Sequence, residues 1–536
     1  MKRSLKFLFP FIISAVFAGG IVLGWFLNGS HSLRGGEQKL LEVMSIIREE
    51  YVDDIDMDSL VEMAIPSLLD NLDPHSYYVP TQEAEGSAAK LEGSFMGVGI
   101  TFQMVNDTVS VIEVLSGGPA EKVGVLPGDR IIKVDDVDIS GKDIIDTDVV
   151  KMLRGEKDTQ VQITVRRATS RKPLVFDITR GEVPQRSIDA AYMIDDKIGY
   201  IKVSKFARNT YAEFLRDLAS LRLDGAGSYI IDLRGNTGGY MEPAILMANE
   251  FLGAGNVIVS TIGRNHDEDQ YVMADGSGAF GDTPLVVLID EFSASASEIF
   301  SGAIQDNDRG WIVGRRSFGK GLVQKPIFMP DSSEIRLTVQ RYYTPAGRSI
   351  QKDYRLGGKE SYETEIINRY NNGEILSADS VKLNTAEKFL TRAGRTVYGG
   401  GGIMPDYFVP NDTSGVSSYY INVVNHGLLI NFAHEYADLN RADLEKAAGK
   451  DGSVNALLRR LPSDDVLLNS FVHYASLNGV PARWYYINIS SRLIVNQLRA
   501  LIARDILGTA AYYQVANRTD KTVLQGIEHM SKPLVE

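Results

Sequence analysis

Two short apolar segments, each followed by a turn of small residues, constrain the fold of this chain more than any other feature. The segment 228–234 reads SYIIDLR and runs into the glycine-rich turn 235–239. The segment 284–290 reads PLVVLID and runs into a serine-rich stretch that continues as a helical pattern to about residue 305. Continuous apolar runs of this length are typical of buried strands. Their alternation with helical segments from about residue 188 onward predicts an α/β domain with a layered sheet.

A different pattern occupies residues 95–181. Short β-type runs alternate there with strong turn signals, Gly-Gly-Pro-Ala at 117–120 and Leu-Pro-Gly-Asp at 126–129. A single helix is predicted between Asp143 and Leu153. This region is therefore predicted to be a separate, β-rich domain.

Two segments of that region resemble a PDZ domain. They are GVGITF at 97–102 and SGGPAEKVGVLPGDRIIKVDDVDI at 116–139. In a PDZ domain, backbone N–H groups hold the carboxylate of a peptide and an exposed sheet edge pairs with the peptide as an added strand. The alternative is a small β domain whose glycine turns bind no ligand. The resemblance implies that a peptide C-terminus is bound by Gly97, Val98, Gly99 and Ile100.

The N-terminus combines a basic start with a long uncharged segment. Residues 1–6 include three basic side chains, and residues 7–27, a run of 21, contain no charged side chain. A helix of about 20 apolar residues spans a bilayer, and basic residues before the span keep the N-terminus inside. We therefore expect an uncleaved membrane anchor, with the rest of the chain exported. The alternative is a cleaved signal peptide with a weak cleavage site at residues 15–18.

The composition of the chain narrows the chemistry. The 536 residues include no cysteine, which excludes a thiol nucleophile, a cysteine zinc site and disulfides. The net charge of −13 argues against nucleic acid as a partner, because nucleic-acid-binding proteins present a basic face. The seven histidines do not form His-Glu-x-x-His, which argues against a zinc hydrolase of that type.

The serine-rich stretch 290–298 permits two interpretations. Ser295 and Glu298 have the Ser-x-x-Glu spacing of a capping box, so the stretch can simply begin a helix. A serine at a strand-to-helix turn can also be a nucleophile. The N-terminus of the helix then offers free N–H groups and partial positive charge to a developing oxyanion. On the local pattern alone the cap is the simpler interpretation.

A nucleophilic serine needs a base, and Lys320 is the main candidate. It lies in GRRSFGKG (314–321), which has the spacing of a phosphate-binding loop, but Gly321 stands where that loop needs Ser or Thr. Apolar and glycine residues around Lys320 favour a desolvated amine with a lowered pKa, as a lysine base requires. His75, in the sequence Asp-Pro-His-Ser at 73–76, is a second candidate base, although it is more simply a turn residue.

The segment DEFSASASEIFSGAIQDNDRGWIVGRRSFGKGLVQ (290–324) resembles the signature of the C-terminal processing peptidases, also called tail-specific proteases. The Asp-Leu-Arg-x-Asn-x-Gly-Gly turn and the PDZ-like region occur in the order that this family has. Helical patterns in the residues themselves predict N-terminal helices and a mainly helical C-terminal extension, which has no counterpart in the common core of the family. The resemblance, which covers roughly residues 37–410, implies a crotonase-like α/β protease core with an inserted PDZ domain. It divides the chain into an anchor or signal segment, a helical region, the PDZ domain, the serine peptidase core and an extension of unknown role. Their predicted bounds are 1–30, 37–92, 93–182, 183–410 and 411–536.

The resemblance also implies the catalytic residues. Ser295 matches the nucleophile, Lys320 the general base, and Gln324 the glutamine that positions the lysine. No metal and no cofactor is implied.

The oxyanion hole that the resemblance implies consists of two backbone N–H groups. One belongs to Ala296 and the other to Gly238, with Gly239 as the second choice. The rival nucleophiles Ser293 and Ser297 are interpreted as packing and capping residues.

The predicted function is that of a serine endopeptidase that cleaves proteins near apolar C-termini recognised by its PDZ domain. The predicted location is the bacterial periplasm, with residues 7–27 in the inner membrane. A periplasmic adaptor and a homodimer are further predicted partners, whereas nucleic acid is not expected. Arg154, at the end of the PDZ helix, is either a link between the PDZ domain and the active site or a solvated helix-end residue.

The main alternative is a non-catalytic PDZ adaptor or scaffold in the periplasm, which leaves the serine and lysine segments unexplained. A crotonase-type acyl-CoA enzyme shares the core architecture but needs neither a PDZ domain nor an anchor. A P-loop NTPase is disfavoured by Gly321.

Overall fold

The structure is a computed structural model that describes most of the chain. It describes residues 35–81, 83, 92–105, 108–115, 117–141, 145–167, 170–264, 266–382 and 386–534. The predicted membrane segment 7–27 and the predicted anchor segment 1–30 lie outside these residues. No helix within the described part of the chain is both long enough and apolar enough to cross a membrane.

The chain divides into two compact units, one ending at Leu69 and the other beginning at Asp70. The first unit contains helices α1 (Gly35–Glu50) and α2 (Met57–Leu69). An apolar face in residues 37–52 predicts the first helix, and a cap at Asp58 predicts a second helix that ends near Leu72. Both helices are present, and α2 ends earlier than predicted, at Leu69.

The PDZ-like region forms a sheet of six strands with two short helices. Buried residues of β7, including Ile163 and Val165, pack with Val149 and Leu153 of the second helix. Strands β2 and β9 pair with each other, so the chain enters and leaves this region side by side, as an inserted domain requires. The sheet order is β3-β4-β5-β7-β8, with β6 beside β5. The elements from residue 77 to residue 184 are β1 (Tyr77–Val79), β2 (Ser94–Gly97), β3 (Ile100–Val105), β4 (Thr108–Val114), α3 (Pro119–Val123), β5 (Arg130–Val134), β6 (Val137–Asp138), α4 (Asp146–Leu153), β7 (Gln160–Arg166), β8 (Leu174–Thr179) and β9 (Gly181–Pro184).

The core region alternates strands and helices, as the apolar segments predict. Its elements are β10 (Ile188–Met193), β11 (Ile198–Val203), α5 (Thr210–Leu223), β12 (Ser228–Asp232), α6 (Met241–Asn249), β13 (Val257–Gly263), β14 (Gln270–Met273), β15 (Leu285–Ile289), α7 (Ala296–Asp306), β16 (Trp311–Gly314), β17 (Leu322–Phe328), β18 (Glu334–Tyr343), α8 (Lys359–Glu363), α9 (Glu365–Asn371), a 3-10 turn (Ala378–Ser380), β19 (Lys388–Leu390), β20 (Thr396–Tyr398) and β21 (Tyr407–Phe408).

The main sheet of the core has the order β10-β11-β12-β15-β16-β21. Strand β10 is antiparallel to β11, and the remaining pairings are parallel. Ile231 and Val287 face the layer formed by α5, α6 and α7, whereas their neighbours Ile230 and Val286 belong to a second apolar cluster on the other face. Because both faces are buried, the strands read as continuous apolar runs.

A second sheet of the core carries the predicted base. Its order is β1-β18-β13-β14, with β17 also paired to β18. Strand β17 begins at Leu322, two residues after Lys320. The main sheet thus presents the predicted nucleophile, and the second sheet presents the predicted base.

The C-terminal region is helical, as predicted. Phe432, Phe471 and Leu498 belong to a core of its own, whereas Val523 of the last helix packs on the face of the main sheet that α5–α7 leave uncovered. The helices are α10 (Ser418–Asn425), α11 (Leu428–Ala448), α12 (Val454–Arg460), α13 (Asp464–Leu477), α14 (Trp484–Leu507), α15 (Thr509–Ala516) and α16 (Lys521–His529).

Candidate active site

The predicted nucleophile lies at a strained turn between β15 and α7. Ser295 immediately precedes α7 and has φ 57° and ψ −114°, a combination that residues with side chains rarely adopt. Asp290, at the end of β15, holds the turn because one of its oxygens accepts the N–H groups of Gly235 at 2.9 Å and Phe292 at 3.1 Å. The turn therefore fixes Ser295 in a conformation that the surrounding contacts, not local preference, determine.

The rival serines have structural partners. The Ser293 hydroxyl donates to the carbonyl oxygen of Leu233 at 2.9 Å, and the Ser297 hydroxyl donates to that of Asn236 at 2.9 Å. Both rivals are fully buried, whereas Ser295 is partly exposed. Ser293 and Ser297 thus tie the serine turn to the glycine-rich turn after β12, and Ser295 is the serine that a substrate can reach.

Glu298 joins the serine turn to the lysine loop. One carboxylate oxygen accepts the N–H of Ser295 at 2.8 Å and the N–H of Lys320 at 2.9 Å. The other oxygen accepts the N–H of Gly319 at 2.7 Å and the hydroxyl of Ser317 at 2.5 Å. Burial raises the pKa of Glu298 to about 7, although these hydrogen bonds act to lower it. A single buried carboxylate thereby holds the backbones of the predicted nucleophile and the predicted base.

The Lys320 side chain is half-buried and its amine is bonded to Gln324. It donates to the side-chain oxygen of Gln324 at 2.9 Å. Burial is the main cause that lowers its pKa; Arg336 lowers the pKa further, whereas Asp73 and Glu298 act to raise it. A lowered pKa increases the neutral fraction of the amine, which is the form that can accept a proton.

Ser295 and Lys320 also share a partner in Tyr342. Its hydroxyl, which has a single proton to donate, lies within hydrogen-bond distance of two carbonyl oxygens, that of Ser295 at 3.1 Å and that of Lys320. Among the described residues, no hydrogen bond joins the Lys320 amine to the Ser295 hydroxyl. In this structure the amine is bonded to Gln324 and not to the serine.

The Asp-Pro-His-Ser turn holds Gln324 in place. The Gln324 side-chain amide donates to the backbone carbonyl of His75, which directs its oxygen to the Lys320 amine. Asp73 stabilises the turn by accepting the N–H of His75 at 2.9 Å and the N–H of Ser76 at 3.1 Å. This turn is therefore a support for the lysine.

His75 itself is poorly suited to be a base. Its ring packs edge-on against Tyr362, and its Nε2 lies 2.8 Å from the Tyr362 hydroxyl. Burial first, and the charge of Lys320 second, lower the pKa of His75 to about 3. An imidazole with that pKa accepts protons weakly near neutral pH, which supports the interpretation of His75 as a turn residue.

The glycine-rich turn after β12 packs directly on the nucleophile. Gly238 has φ +101°, and a Cβ added there would lie 2.8 Å from the carbonyl oxygen of Ala294 and 2.8 Å from the Cβ of Ser295. Only glycine fits at this position. The backbone of the glycine-rich turn therefore lies directly against Ser295.

The N–H groups of the predicted oxyanion hole differ in whether they already have a hydrogen-bond acceptor. The N–H of Gly238 donates to the side-chain oxygen of Asn236 at 2.9 Å. In the described part of the chain, the N–H groups of Gly239 and Ala296 have no acceptor. The free donors are therefore Ala296 and Gly239, the second choice of the sequence analysis, and the assignment of Gly238 stays a prediction.

The PDZ-like region contains a small apolar cleft between β3 and α4. Gly97 lies within β2, paired with Gly181. The guanidinium of Arg154 lies over the ring of Phe95 at 5.0 Å from its centre, so this residue contacts the cleft rather than the serine or lysine loop. The cleft has a volume of about 90 Å³ and is lined by Phe95, Val98, Gly99, Ile100, Phe102, Val150, Leu153 and Arg154.

Sequence reasoning missed three supporting residues. The sequence pattern places Glu298 in a helix cap, and it places Asp73 and Asn236 in turns without indicating that they support the site. The Ser-x-x-Glu pattern did identify a hydrogen bond from Ser295 to Glu298. No local pattern indicated that the same carboxylate also reaches the lysine loop. Within the described residues, no group of three or more His, Asp and Glu side chains is arranged to hold a metal ion.

Comparison with known proteins identifies the family. The model of peptidase family S41 matches residues 197–358, and a PDZ domain model matches residues 110–167. The chain is 36% identical over 314 residues to the carboxy-terminal-processing protease of Bartonella bacilliformis, and this alignment covers 58% of this chain and 71% of that protein. It is 33% identical over 362 residues to the carboxy-terminal processing protease CtpA of Bacillus subtilis, covering 66% of this chain and 76% of that protein.

The chain belongs to the carboxy-terminal processing proteases. The predicted family is therefore confirmed, as is the predicted fold class of an α/β protease core with a PDZ domain and a helical C-terminal region. This carboxy-terminal processing protease is a serine-type peptidase of family S41. The solved structure of the photosystem II D1 C-terminal processing protease is also similar, with 29% identity and a TM-score of 0.34 over 60% of this chain and 85% of that chain. Residues 419–508 match a family of unknown function, DUF8443.

Proposed function

We propose that this protein is a serine endopeptidase in which Ser295 is the nucleophile and Lys320 the general base. The observation that carries the proposal is the shared contact with Glu298, one oxygen of which accepts the N–H groups of both residues. This contact keeps the two loops in a fixed relation. The partial exposure of Ser295 and the desolvation of the Lys320 amine add support, because a nucleophile must be reached by substrate and a lysine base must be desolvated.

The reaction proceeds through an acyl-enzyme. Neutral Lys320 takes the proton from the Ser295 hydroxyl as the serine oxygen attacks the scissile carbonyl. The free N–H groups at Ala296 and in the glycine-rich turn stabilise the negative charge of the tetrahedral oxygen. The protonated amine of Lys320 then gives its proton to the leaving amine, and water hydrolyses the ester on Ser295.

The lowered pKa of Lys320 sets the direction of the pH dependence. Only the neutral amine starts the reaction, so activity should rise with pH until the amine is largely deprotonated. Gln324 keeps the amine in position without adding charge, since an amide oxygen accepts a hydrogen bond but does not stabilise the ammonium as a carboxylate does.

The proposed substrates are proteins with apolar C-termini that bind the PDZ domain. The cleft beside β3 is small and apolar, and Val98, Gly99 and Ile100 line it. A peptide tail can pair with β3 as an added strand while its last side chain fills the cleft. Anchoring by residues 7–27, a periplasmic location, an adaptor and a homodimer stay predictions; protease accessibility in spheroplasts tests the first two.

The test is digestion of an unfolded reporter that carries an apolar C-terminal tail. Wild type should cut the reporter, whereas Ser295→Ala and Lys320→Ala should be folded but inactive. A serine-reactive acylating probe should label wild type and not Ser295→Ala. If Ser295→Ala still cuts, the nucleophile is wrongly assigned. If wild type binds the tail but never cuts, the non-catalytic adaptor is the better interpretation.

A further inference from the structure

We propose that Asp520, in the C-terminal extension, is a positioning residue for the active site. This inference rests on the proposed function, because it concerns the turn assigned there to oxyanion binding. It also gives a role to a part of the C-terminal region for which no motif was found.

Arg234 is held between two carboxylates. On one side its guanidinium bonds both oxygens of Asp232, at 2.6 to 3.1 Å. On the other side its Nη1 bonds both oxygens of Asp520, at 3.0 and 2.8 Å. The Arg234 side chain is only 17% exposed, and such bidentate pairs fix a guanidinium in both distance and plane.

Asp520 adds a second carboxylate to the charges around Arg234. Lys202 lies 3.4 Å from Asp232 and also donates to the backbone carbonyl of Arg234. The positive charges of Lys202 and Arg234 therefore face the negative charges of Asp232 and Asp520. Without Asp520 the Nη1 of Arg234, whose side chain is largely buried, would lose its carboxylate partner, which is costly.

Arg234 immediately precedes the glycine-rich turn that packs on Ser295. Within that turn, the backbone carbonyl of Asn236 accepts the N–H of Ala294 at 3.0 Å and the hydroxyl of Ser297 at 2.9 Å. Gly238 then touches Ser295 directly. A shift of Arg234 is consequently passed along the turn to the serine and to the free N–H groups beside it.

Asp520 is itself fixed by the last helix. It caps α16 by accepting the N–H groups of Thr522 at 2.9 Å and Val523 at 3.1 Å. Val523 is fully buried, and Gly526 lies against Leu288 on the main sheet. The carboxylate therefore links a helix packed on the back of the sheet to the catalytic turn at its end.

Asp520→Asn separates the two roles of this side chain in the full-length protein. Asparagine caps a helix as well as aspartate does, so α16 keeps its cap, but the charge that faces Arg234 is lost. Asp412→Asn is the matched control, because Asp412 pairs with the adjacent Lys521 at 2.9 Å on the exposed side of the same helix start.

Two readouts test the proposal. For Asp520→Asn we expect kcat on the apolar-tailed reporter to fall about ten- to a hundredfold with KM unchanged, since small displacements at a catalytic turn have effects of that size. Amide hydrogen exchange in residues 235–241 should become faster. Asp412→Asn should match wild type in both, and Asp520→Glu should recover part of the loss in kcat.

The proposal is overturned if Asp520→Asn has wild-type kcat and wild-type exchange, or if Asp412→Asn shows the same losses. If Asp520→Asn lowers the melting temperature, the kinetic comparison is made well below the unfolding range, so that a folded population is compared. Hydrogen exchange does not depend on cleavage. If the wild-type protein is inactive, the proposed function is refuted, and the exchange measurement still decides whether Asp520 holds the glycine-rich turn in place.

Discussion

Replacing Glu298 by glutamine should remove a pH dependence of stability that this carboxyl imposes on the protein. The pKa of Glu298 is raised from 4.5 to about 7 by burial. Between these values the unfolded chain has lost the proton, whereas the folded protein still retains it. The stabilising contribution is thus fully present below about pH 4.5 and is lost as pH rises through about 7.

The size of the effect follows from the same two pKa values. Ionisation of Glu298 is about 3 kcal/mol less favourable in the folded protein than in the unfolded chain. About 2.5 kcal/mol of this difference falls between about pH 5 and about pH 8. Glutamine does not titrate, so the unfolding free energy of wild type minus that of Glu298→Gln should decrease by this amount over that interval.

Urea unfolding followed by tryptophan fluorescence measures this difference. The chain has three tryptophans, and Trp25→Phe with Trp484→Phe leaves Trp311 of β16 as the only reporter. Trp311 packs against Tyr407 at 4.9 Å between ring centres and donates to the carbonyl of Lys532 at 3.1 Å. Its fluorescence therefore reports on the core sheet that carries α7.

Glu291→Gln is the control for this measurement. Burial acts to raise the pKa of Glu291, but the hydrogen bond and charge of Arg315 outweigh burial and lower it. Its stabilising contribution is present above about pH 4.5 and is lost only on acidification, so the difference from wild type should be constant between about pH 5 and about pH 8. A constant difference for Glu298→Gln as well would refute the assignment of Glu298 as a buried carboxyl that is costly to ionise.

Three further predictions concern activity. Gln324→Glu places a carboxylate beside the Lys320 amine and should raise the pKa of Lys320, so the rising limb of the pH profile of kcat/KM should move to higher pH. If this limb does not move, Lys320 is not the titrating base. Gly238→Ala should lower kcat about a hundredfold or more, because the added Cβ would overlap Ser295. Gly235→Ala has open space around its Cβ and should retain most activity, so equal losses in the two variants would contradict the packing argument. Val150→Trp should fill the PDZ cleft and raise KM for an apolar-tailed reporter with little change in kcat. The cleavage of a reporter with a charged tail should be unaffected, and equal effects on both reporters would exclude the cleft as the tail-binding site.

The fold was predictable where burial is continuous or alternates regularly. The β-type patterns of residues 130–134, 160–166, 198–203 and 311–314 predict strands, and the structure forms strands over the same ranges. Helix ends were less accurate: apolar periodicity predicts a helix over residues 491–507, whereas α14 begins at Trp484. Its exposed aromatic first turn does not show the apolar periodicity from which a helix is inferred.

The site was predictable only as far as its local patterns reach. The serine turn and the lysine loop each carry a recognisable sequence. Glu298 illustrates the limit, because its bond to Ser295 follows from spacing, whereas its bonds to Gly319 and Lys320 require the second sheet to be docked on the first. The same holds for Gln324, whose partner at His75 lies 249 positions away in the chain.

The C-terminal helices extend this argument to a part of the chain with no signature of its own. An apolar stripe in α16 indicates burial, but it does not indicate which surface is covered. Asp520 and Arg234 are 286 positions apart, and a capping aspartate has the same local pattern whether or not it also faces an arginine. If Asp520 positions the catalytic turn, removing α16 should not only expose Ile230, Val286 and Leu288 but also release Arg234, so the extension and the active site should be lost together.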